Sequence, residues 1–369
     1  MKILIISNSC LGTYMFRREL IGRFLENHSV TLAVPHELHY DDFEKMGCTM
    51  KTTALSRHGK NVFKELGLIG HYSKIIDEVK PDVVLTFTAK PNVYVPPICR
   101  RKKIPCIVNV AGLGTPCEKG GAQRSILIRA YLSSLKKATR VFFQNEEIFG
   151  LFSRLGLDSS KCKRLNGSGV NTDHFCRRDY PDKGGKMRFL FAGRIVEDKG
   201  IHELLRAAGE IKAKHPEAQF VVAGEFESES CRAAVEKAQS EKTVEFLGYV
   251  DDMRGVYGES WAAVVPSHHE GLSNVCLEAA ATGRPVIASD ISGCREAVED
   301  GNTGILFEAS NSEKLTEAIE KFISLPYDKK VKMGLLGREK VEKEFDRRAV
   351  TAAYEEEILD LLRKKKEKI

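Results

Sequence analysis

The sequence predicts an α/β protein of two domains, each an open parallel sheet with helices on both faces. Three observations carry this. Short, almost wholly apolar runs alternate with longer stretches of helical period along the chain, the pattern of strands buried on both faces and joined by helical crossovers. The length of 369 residues exceeds one ordinary domain and suits two. The pattern breaks at RRDYPDKGGK (177–186), where charge, a proline and two glycines interrupt the periodicity just before a new apolar run.

In the first half, strands are expected at 2–6, 29–34, 83–87, 106–110 and 141–144. In the second they are expected at 187–192, 219–223, 244–247, 263–266, 285–288 and 303–307, with helices at 202–213, 229–239 and 312–324 between them. The stretch 346–368 reads as one long helix ending in the basic run RKKKEK. The domains are therefore set at 1–178 and 179–345, and the C-terminal helix, 346–369, is expected to pack back on the first domain.

A hydrophobic fraction of 42% and a charged fraction of 29% are those of a soluble globular chain and exclude disordered and fibrous classes. The opening apolar run, Ile3 to Ile6, soon meets Ser7, Asn8 and Ser9 and is too short for a signal-peptide core. No segment approaches the roughly 20 apolar residues that span a bilayer. Ten scattered cysteines without a CxxC pair suit a reducing cytoplasm and serve as small packing residues.

The net charge of +6 hides a split. Residues 1–180 carry 28 basic against 16 acidic side chains, a balance of +12, and residues 181–369 carry 29 against 35, a balance of −6. Either the first domain meets something anionic, such as a phospholipid surface or a diphosphate, or this is ordinary surface variation. No nucleic-acid reader motif accompanies the charge, so no nucleic-acid partner is expected.

Two motifs carry chemistry. In FAGRIVEDKG (191–200) an apolar strand ends at Gly193 and delivers Arg194 and then Lys199 before a helix. Ligands of open α/β sheets bind at such strand ends, and two cations a loop's length apart suit a diphosphate. In HHEGLSNVCLEAAATGRPV (268–286), residues 273–282 read as a helix with Ser273 as N-cap and Gly283 at its C-terminal end. Glu270 and the amides of Gly271, Leu272 and Ser273 then lie at a helix N-terminus, which favours a phosphate. Glu270 is placed to accept from sugar hydroxyls, and Glu278, about two turns on, from both hydroxyls of a ribose. His268 and His269 invite a metal reading, but no third ligand has recognisable spacing. They are read as lining the donor site, with no metal.

These motifs, with TGRPVIASDISGCREAVEDGNTGILF following, resemble the nucleotide-sugar domain of glycosyltransferase family 4 over most of 187–310. The resemblance implies a GT-B fold, two Rossmann-like domains facing across a cleft, and retention of anomeric configuration with no cofactor beyond a UDP-sugar donor. It places Arg194 and Lys199 on the diphosphate, Glu270 on the transferred sugar as positioner and electrostatic partner, and Glu278 on the ribose. FLGYV (246–250) resembles the segment that meets the nucleobase, with Tyr249 and Val250 as contacts. ISNSCLGTYMFRREL resembles the family's first strand and loop, where Gly12 lets the backbone approach the diphosphate.

NVAGLGTPC (109–117) and NGSGVNTDHF (166–175) resemble a subgroup that assembles polyprenyl-diphosphate-linked oligosaccharides and cell-surface polysaccharides, and put Asn109, Gly112 and Gly114 on the acceptor side. Many members carry a histidine after this strand; here the Asn109 stretch takes its place, and no catalytic histidine is assigned. The implied reaction moves an N-acetylhexosamine or hexose to a lipid-linked saccharide. A basic amphipathic stretch at 119–137, with Lys136 and Lys137 at its end, packs on the first domain or lies on anionic lipid at the inner face of the membrane. The alternatives are a soluble transferase with a small acceptor, a nucleotide-sugar epimerase, and a non-catalytic sensor.

Overall fold

The computed structural model describes residues 1–53, 62–113 and 121–366. The chain divides into two compact units, 1–168 with 348–369, and 169–347. The first division falls ten residues before the 178/179 boundary read from composition. It falls there because backbones pair: the Val170 amide donates to Phe345 O at 2.8 Å, and the Arg347 amide to Val170 O at 3.0 Å. Gly169 is left-handed at φ +64°, and a Cβ there would lie 2.6 Å from the Arg347 Cα. Only glycine permits this approach.

The first unit holds seven parallel strands: β1 (Lys2–Ile6), β2 (Ser29–Val34), β3 (Thr49–Thr52), β4 (Val83–Thr86), β5 (Cys106–Val110), β6 (Arg140–Phe143) and β7 (Cys162–Arg164). Their order is β3-β2-β1-β4-β5-β6-β7. Side chains alternate between sheet faces. Ile3 and Ile5 accordingly join a core with Leu20 and Phe24 of helix Cys10–Leu25, while Leu4 and Ile6 join the opposite one with Tyr72 and Ile75 of helix Val62–Val79. The C-terminal helix Arg347–Lys366 adds Val350, Tyr354, Ile358 and Leu361 to the Ile3 core. That spacing is one helix face. Salt bridges Arg23–Glu355 at 2.8 Å and Arg140–Glu357 at 2.7 Å border it.

The second unit holds β8 (Met187–Ala192), β9 (Ala218–Ala223), β10 (Glu245–Gly248), β11 (Ala262–Val265), β12 (Val286–Ser289) and β13 (Gly304–Phe307), in the order β10-β9-β8-β11-β12-β13. This is the doubly wound order, and its direction reverses between β8 and β11, where such folds bind ligands. Phe189 and Phe191 pack with Ile201 and Leu204 on one face, and Leu190 with Leu277 on the other. Both units are Rossmann-like, and together they make a GT-B fold.

Every strand expected from sequence is present within one residue. β3 and β7 are additions to that set: both are outermost in the sheet, short, and partly exposed, so neither presents an apolar run. None of the nine described cysteines is bonded, and seven are buried. Among the described residues no helix is long and apolar enough to cross a membrane.

Candidate active site

At the end of β8 the chain passes unusually close to its neighbours. Gly193 has φ +135° and Gly224, after β9, has φ +151°; a Cβ on Gly224 would sit 1.8 Å from Gly193 O. Further on, Gly200 (φ +71°) lies so near the exit of β11 that a Cβ would meet Pro266 O at 2.0 Å. The His268 amide ties the same two segments, donating to Asp198 O at 2.9 Å, and its ring pairs with Glu203 at 2.8 Å. His268 therefore braces the loop 193–200.

This bracing delivers Lys199 to Glu270. The Nζ lies 2.7 Å from Glu270 Oε1, and Ser267 Oγ donates to the same oxygen at 2.9 Å. Both side chains are mostly covered, at 21% and 15% exposure, so the pair is better shielded than a surface salt bridge. Arg194 is separate: its side chain is 61% exposed and its guanidinium is bonded to Glu227.

Beyond Glu270, the chain leans on Gly293, where a Cβ would lie 2.7 Å from both Glu270 O and Gly271 O. The Ser273 amide donates to Gly293 O at 3.1 Å. This corrects the expectation that the Ser273 amide is free for a phosphate. Its hydroxyl caps helix Asn274–Ala281 by accepting from the Cys276 amide. The Leu272 side chain is buried in the core, and Gly271 lies between it and Glu270. Gly293, Gly200 and Ser267 have no role readable from sequence; the SGCRE segment containing Gly293 belongs to the family-like pattern, but its contact with Glu270 is a tertiary fact.

Glu278 retains some exposed surface, yet its carboxyl is enclosed. Burial pushes its pKa up to about 7, against opposing contributions from the Tyr257 hydrogen bond and the Arg347 charge. The Tyr257 hydroxyl donates to Oε2 at 3.0 Å. At β10, Tyr249 is 39% exposed, with Val250 partly buried against the core. His269 is exposed. The sheet being parallel, the segments after β8, β9, β10 and β11 all emerge along one edge.

In the first unit, Gly12 sits in the first turn of helix Cys10–Leu25, its amide donating to Ser9 Oγ at 3.0 Å. The neighbouring Cys10 amide donates to Glu37 at 2.9 Å. Asn109 is buried, its Oδ1 accepting from Gln144 at 3.2 Å and its carbonyl from Asn92 at 2.8 Å. It braces the end of β5 and offers no exposed group. A Cβ at Gly112 would meet open space, and Gly114 lies outside the described residues.

The arrangement suits an anionic leaving group beside a polyol. An ammonium has three N–H donors; Glu270 takes one from Lys199, leaving the others for anionic oxygens. Lys199 and Ser267 both engage Oε1, which leaves Oε2 for a hydroxyl.

The family description "Glycosyl transferases group 1" matches residues 174–340, and "Glycosyl transferase 4-like" matches 2–145. The N,N'-diacetylbacillosaminyl-diphospho-undecaprenol alpha-1,3-N-acetylgalactosaminyltransferase of Campylobacter jejuni is 26% identical over 354 residues, covering 91% of this chain and 92% of its own. The capsular polysaccharide biosynthesis glycosyltransferase CapM of Staphylococcus aureus is 32% identical over 162 residues, 42% of this chain and 41% of its own. Among solved structures, Anabaena Alr3699/HepE in complex with UDP-glucose superposes with a TM-score of 0.81 at 16% identity, covering 98% of this chain and 100% of that one. With two glycosyltransferase domain families matched one after the other and a GT-B fold beneath them, the chain is a glycosyltransferase.

Proposed function

We propose that this enzyme moves an N-acetylhexosamine or hexose, with retention, from a UDP-sugar to a polyprenyl-diphosphate-linked saccharide in surface polysaccharide or glycoprotein glycan assembly. The observation that carries the transfer reading is the Lys199–Glu270 pair at the β8/β11 switch point, 2.7 Å apart. Lys199 meets the donor diphosphate, and Arg194 joins it by exchanging Glu227 for phosphate oxygens. Glu270 holds the transferred sugar, Glu278 the ribose, and Tyr249 and Val250 the base. Gly193 and Gly271 let backbone approach the donor, and His269 lines its edge.

In the reaction the bond from the anomeric carbon to the diphosphate oxygen breaks while the acceptor hydroxyl bonds to that carbon on the same face. The departing diphosphate oxygen takes the acceptor proton. Lys199 stabilises the charge that develops on that oxygen, the kind of prearranged electrostatics that usually contributes most. No metal or further cofactor enters the reaction.

The lipid-linked acceptor rests on the Campylobacter relative, whose name specifies an undecaprenol-diphosphate substrate, and on the basic first unit. Helix Gly121–Leu135 buries Tyr131 and Leu135, while Ile126 is 65% exposed on the same side as exposed Arg129. Its uncovered side thus pairs an apolar residue with a cation, as peripheral contact with anionic lipid requires. The enzyme would then work at the cytoplasmic face of the membrane.

The test is a panel of UDP-, GDP- and ADP-sugars against polyprenyl-diphosphate-linked and soluble acceptors, without added metal, with the anomeric configuration of the product read by NMR. The expected result is a retained linkage formed from a UDP-sugar on lipid-linked acceptors alone. Equal transfer to soluble saccharides overturns the acceptor, and an inverted product overturns retention.

A further inference from the structure

Two segments flanking the loop 193–200 bring together a second set of side chains, which the transfer reaction does not use. Glu197 lies in that loop, His202 in the first turn of helix Ile201–Lys214 and Cys231 near the start of helix Glu229–Ser240. One ligand atom from each lies within 4.8 Å of the others. We propose that Glu197, His202 and Cys231 form a zinc-binding site.

The donor set is a thiolate, an imidazole and a carboxylate, the three side-chain types that zinc takes. Bond lengths of roughly 2.3 Å to sulfur and 2.1 Å to nitrogen, at a tetrahedral angle, separate those two ligands by about 3.6 Å. The Cys231 Sγ and His202 Nε2 are 3.8 Å apart. Little movement is needed to close the site.

Glu197 is held for this purpose by its neighbours. Ser228 Oγ donates to its Oε1 at 2.6 Å and Ser230 Oγ at 2.5 Å, which fixes the carboxylate and leaves Oε2 for an ion. Outer hydrogen bonds of this kind orient metal ligands. Cys231 is buried while Glu197 and His202 are exposed, so the sulfur lies beneath two ligands that face solvent. Three protein ligands leave a fourth position for water.

Charge is balanced. Cys231 releases its thiol proton to solvent on binding, and the thiolate and carboxylate together cancel the two charges of the ion. The two helix N-termini oppose a cation, and burial raises the Cys231 thiol above its ordinary range, so the ion itself must displace that proton. Glu197 precedes Lys199 by two residues, so a bound ion would pin the loop that carries Lys199 to helix Glu229–Ser240. The site is therefore a clamp on the loop, distinct from the Lys199–Glu270 pair, and it stands independently of the donor and acceptor proposed above.

The experiment uses the full chain without an added histidine tag, stripped by chelator, titrated with zinc against a chromophoric competitor, and separately loaded with cobalt(II). We expect an ion whose affinity falls at least tenfold in His202→Ala, an exposed substitution that leaves the core untouched. The cobalt form should show a thiolate-to-metal charge-transfer band that Cys231→Ser removes. Equal zinc affinity in His202→Ala and the unaltered chain, or a cobalt spectrum without the thiolate band, overturns the site.

Discussion

The two units share the same central strand order, yet their switch points are furnished differently. In the second unit the β8/β11 junction brings together a lysine, a glutamate and a serine, and several glycines are pressed against neighbouring backbone. At the matching β1/β4 junction of the first, the Asn8 amide donates to Thr88 Oγ1 at 3.1 Å and Tyr72 donates to Asn8 Oδ1 at 2.9 Å. Charge is present there too: Glu37 takes the nearby Cys10 amide and the buried Arg17 lies over the Phe87 ring at 4.8 Å. One architecture thus carries a lysine–carboxylate pair at one junction and an asparagine–threonine contact at the other. Fold alone does not specify chemistry; the residues at the strand ends do.

The largest effect that separates the two is expected at Lys199. Lys199→Ala should lower kcat by about 100- to 1000-fold, the scale for losing one prearranged group that stabilises developing negative charge, with the fold intact by circular dichroism. Thr88→Ala, at the matching place in the first unit, should cost far less. If the two variants lose equal activity, the contrast between the junctions fails.

Backbone packing offers the next test. Gly293→Ala forces a methyl group into the Glu270 and Gly271 carbonyls and should destabilise by about 2 kcal/mol, as overpacked sites do, while also weakening donor binding by displacing Glu270. In Gly12→Ala the new methyl would meet only the Ser9 side chain, Oγ at 3.2 Å and Cβ at 3.5 Å, and alanine favours the helix. Its denaturation midpoint should move little. Equal shifts would show that close approach at Gly293 is no stronger a constraint.

The third test is pH. The Glu278 pKa is raised to about 7, above the ordinary 4.5, so between these values the folded chain binds more protons at this group than the unfolded chain. Its contribution to stability is full below pH 4.5 and declines as pH rises to about 7, on the order of 3 kcal/mol in total. Glu278→Gln should remove that slope from a series of denaturant melts, leaving the slopes of other groups. An unchanged slope would mean the carboxyl is already ionised at lower pH. Donor binding should run the other way, strengthening as pH rises through 7 and the carboxylate becomes available to the ribose.

The smallest effect concerns the basic surface. Lys136 and Lys137 are both exposed, and each cation near an anionic membrane contributes about 1 kcal/mol. Lys136→Ala with Lys137→Ala should weaken binding to phosphatidylserine vesicles roughly 30-fold at low salt, with activity on a dispersed acceptor unchanged. Unchanged sedimentation with vesicles would remove this end of the helix from the membrane contact.

Much of the second unit is legible in the sequence because diphosphate and sugar chemistry demand particular charges just after strands, and strands buried on both faces announce themselves as apolar runs. The glycine and charge pattern of 191–200 therefore points to the loop by itself. Pairing across distance is not legible in this way. Nothing local says that Lys199 touches Glu270, that Arg194 is occupied by Glu227, or that the Ser273 amide is taken by Gly293 O. β3 and β7 illustrate the same limit in the fold: an edge strand needs only one neighbour, so its sequence carries little apolar signature. Asn109 illustrates it in the first unit, where a polar residue near recognisable glycines braces the strand from inside.

The C-terminal helix has a consequence for how the protein is made. Val350, Tyr354, Ile358 and Leu361 complete a core whose other members lie before residue 169. On the ribosome, residues 1–168 must therefore wait with an apolar face uncovered until residues 350–361 have emerged, whereas 169–347 is contiguous and has all its parts earlier. The order of maturation thus reverses the order of synthesis. A chain interrupted just after Arg347 would hold a finished second unit and an unfinished first, with the aggregation risk that exposed apolar surface brings to a nascent chain.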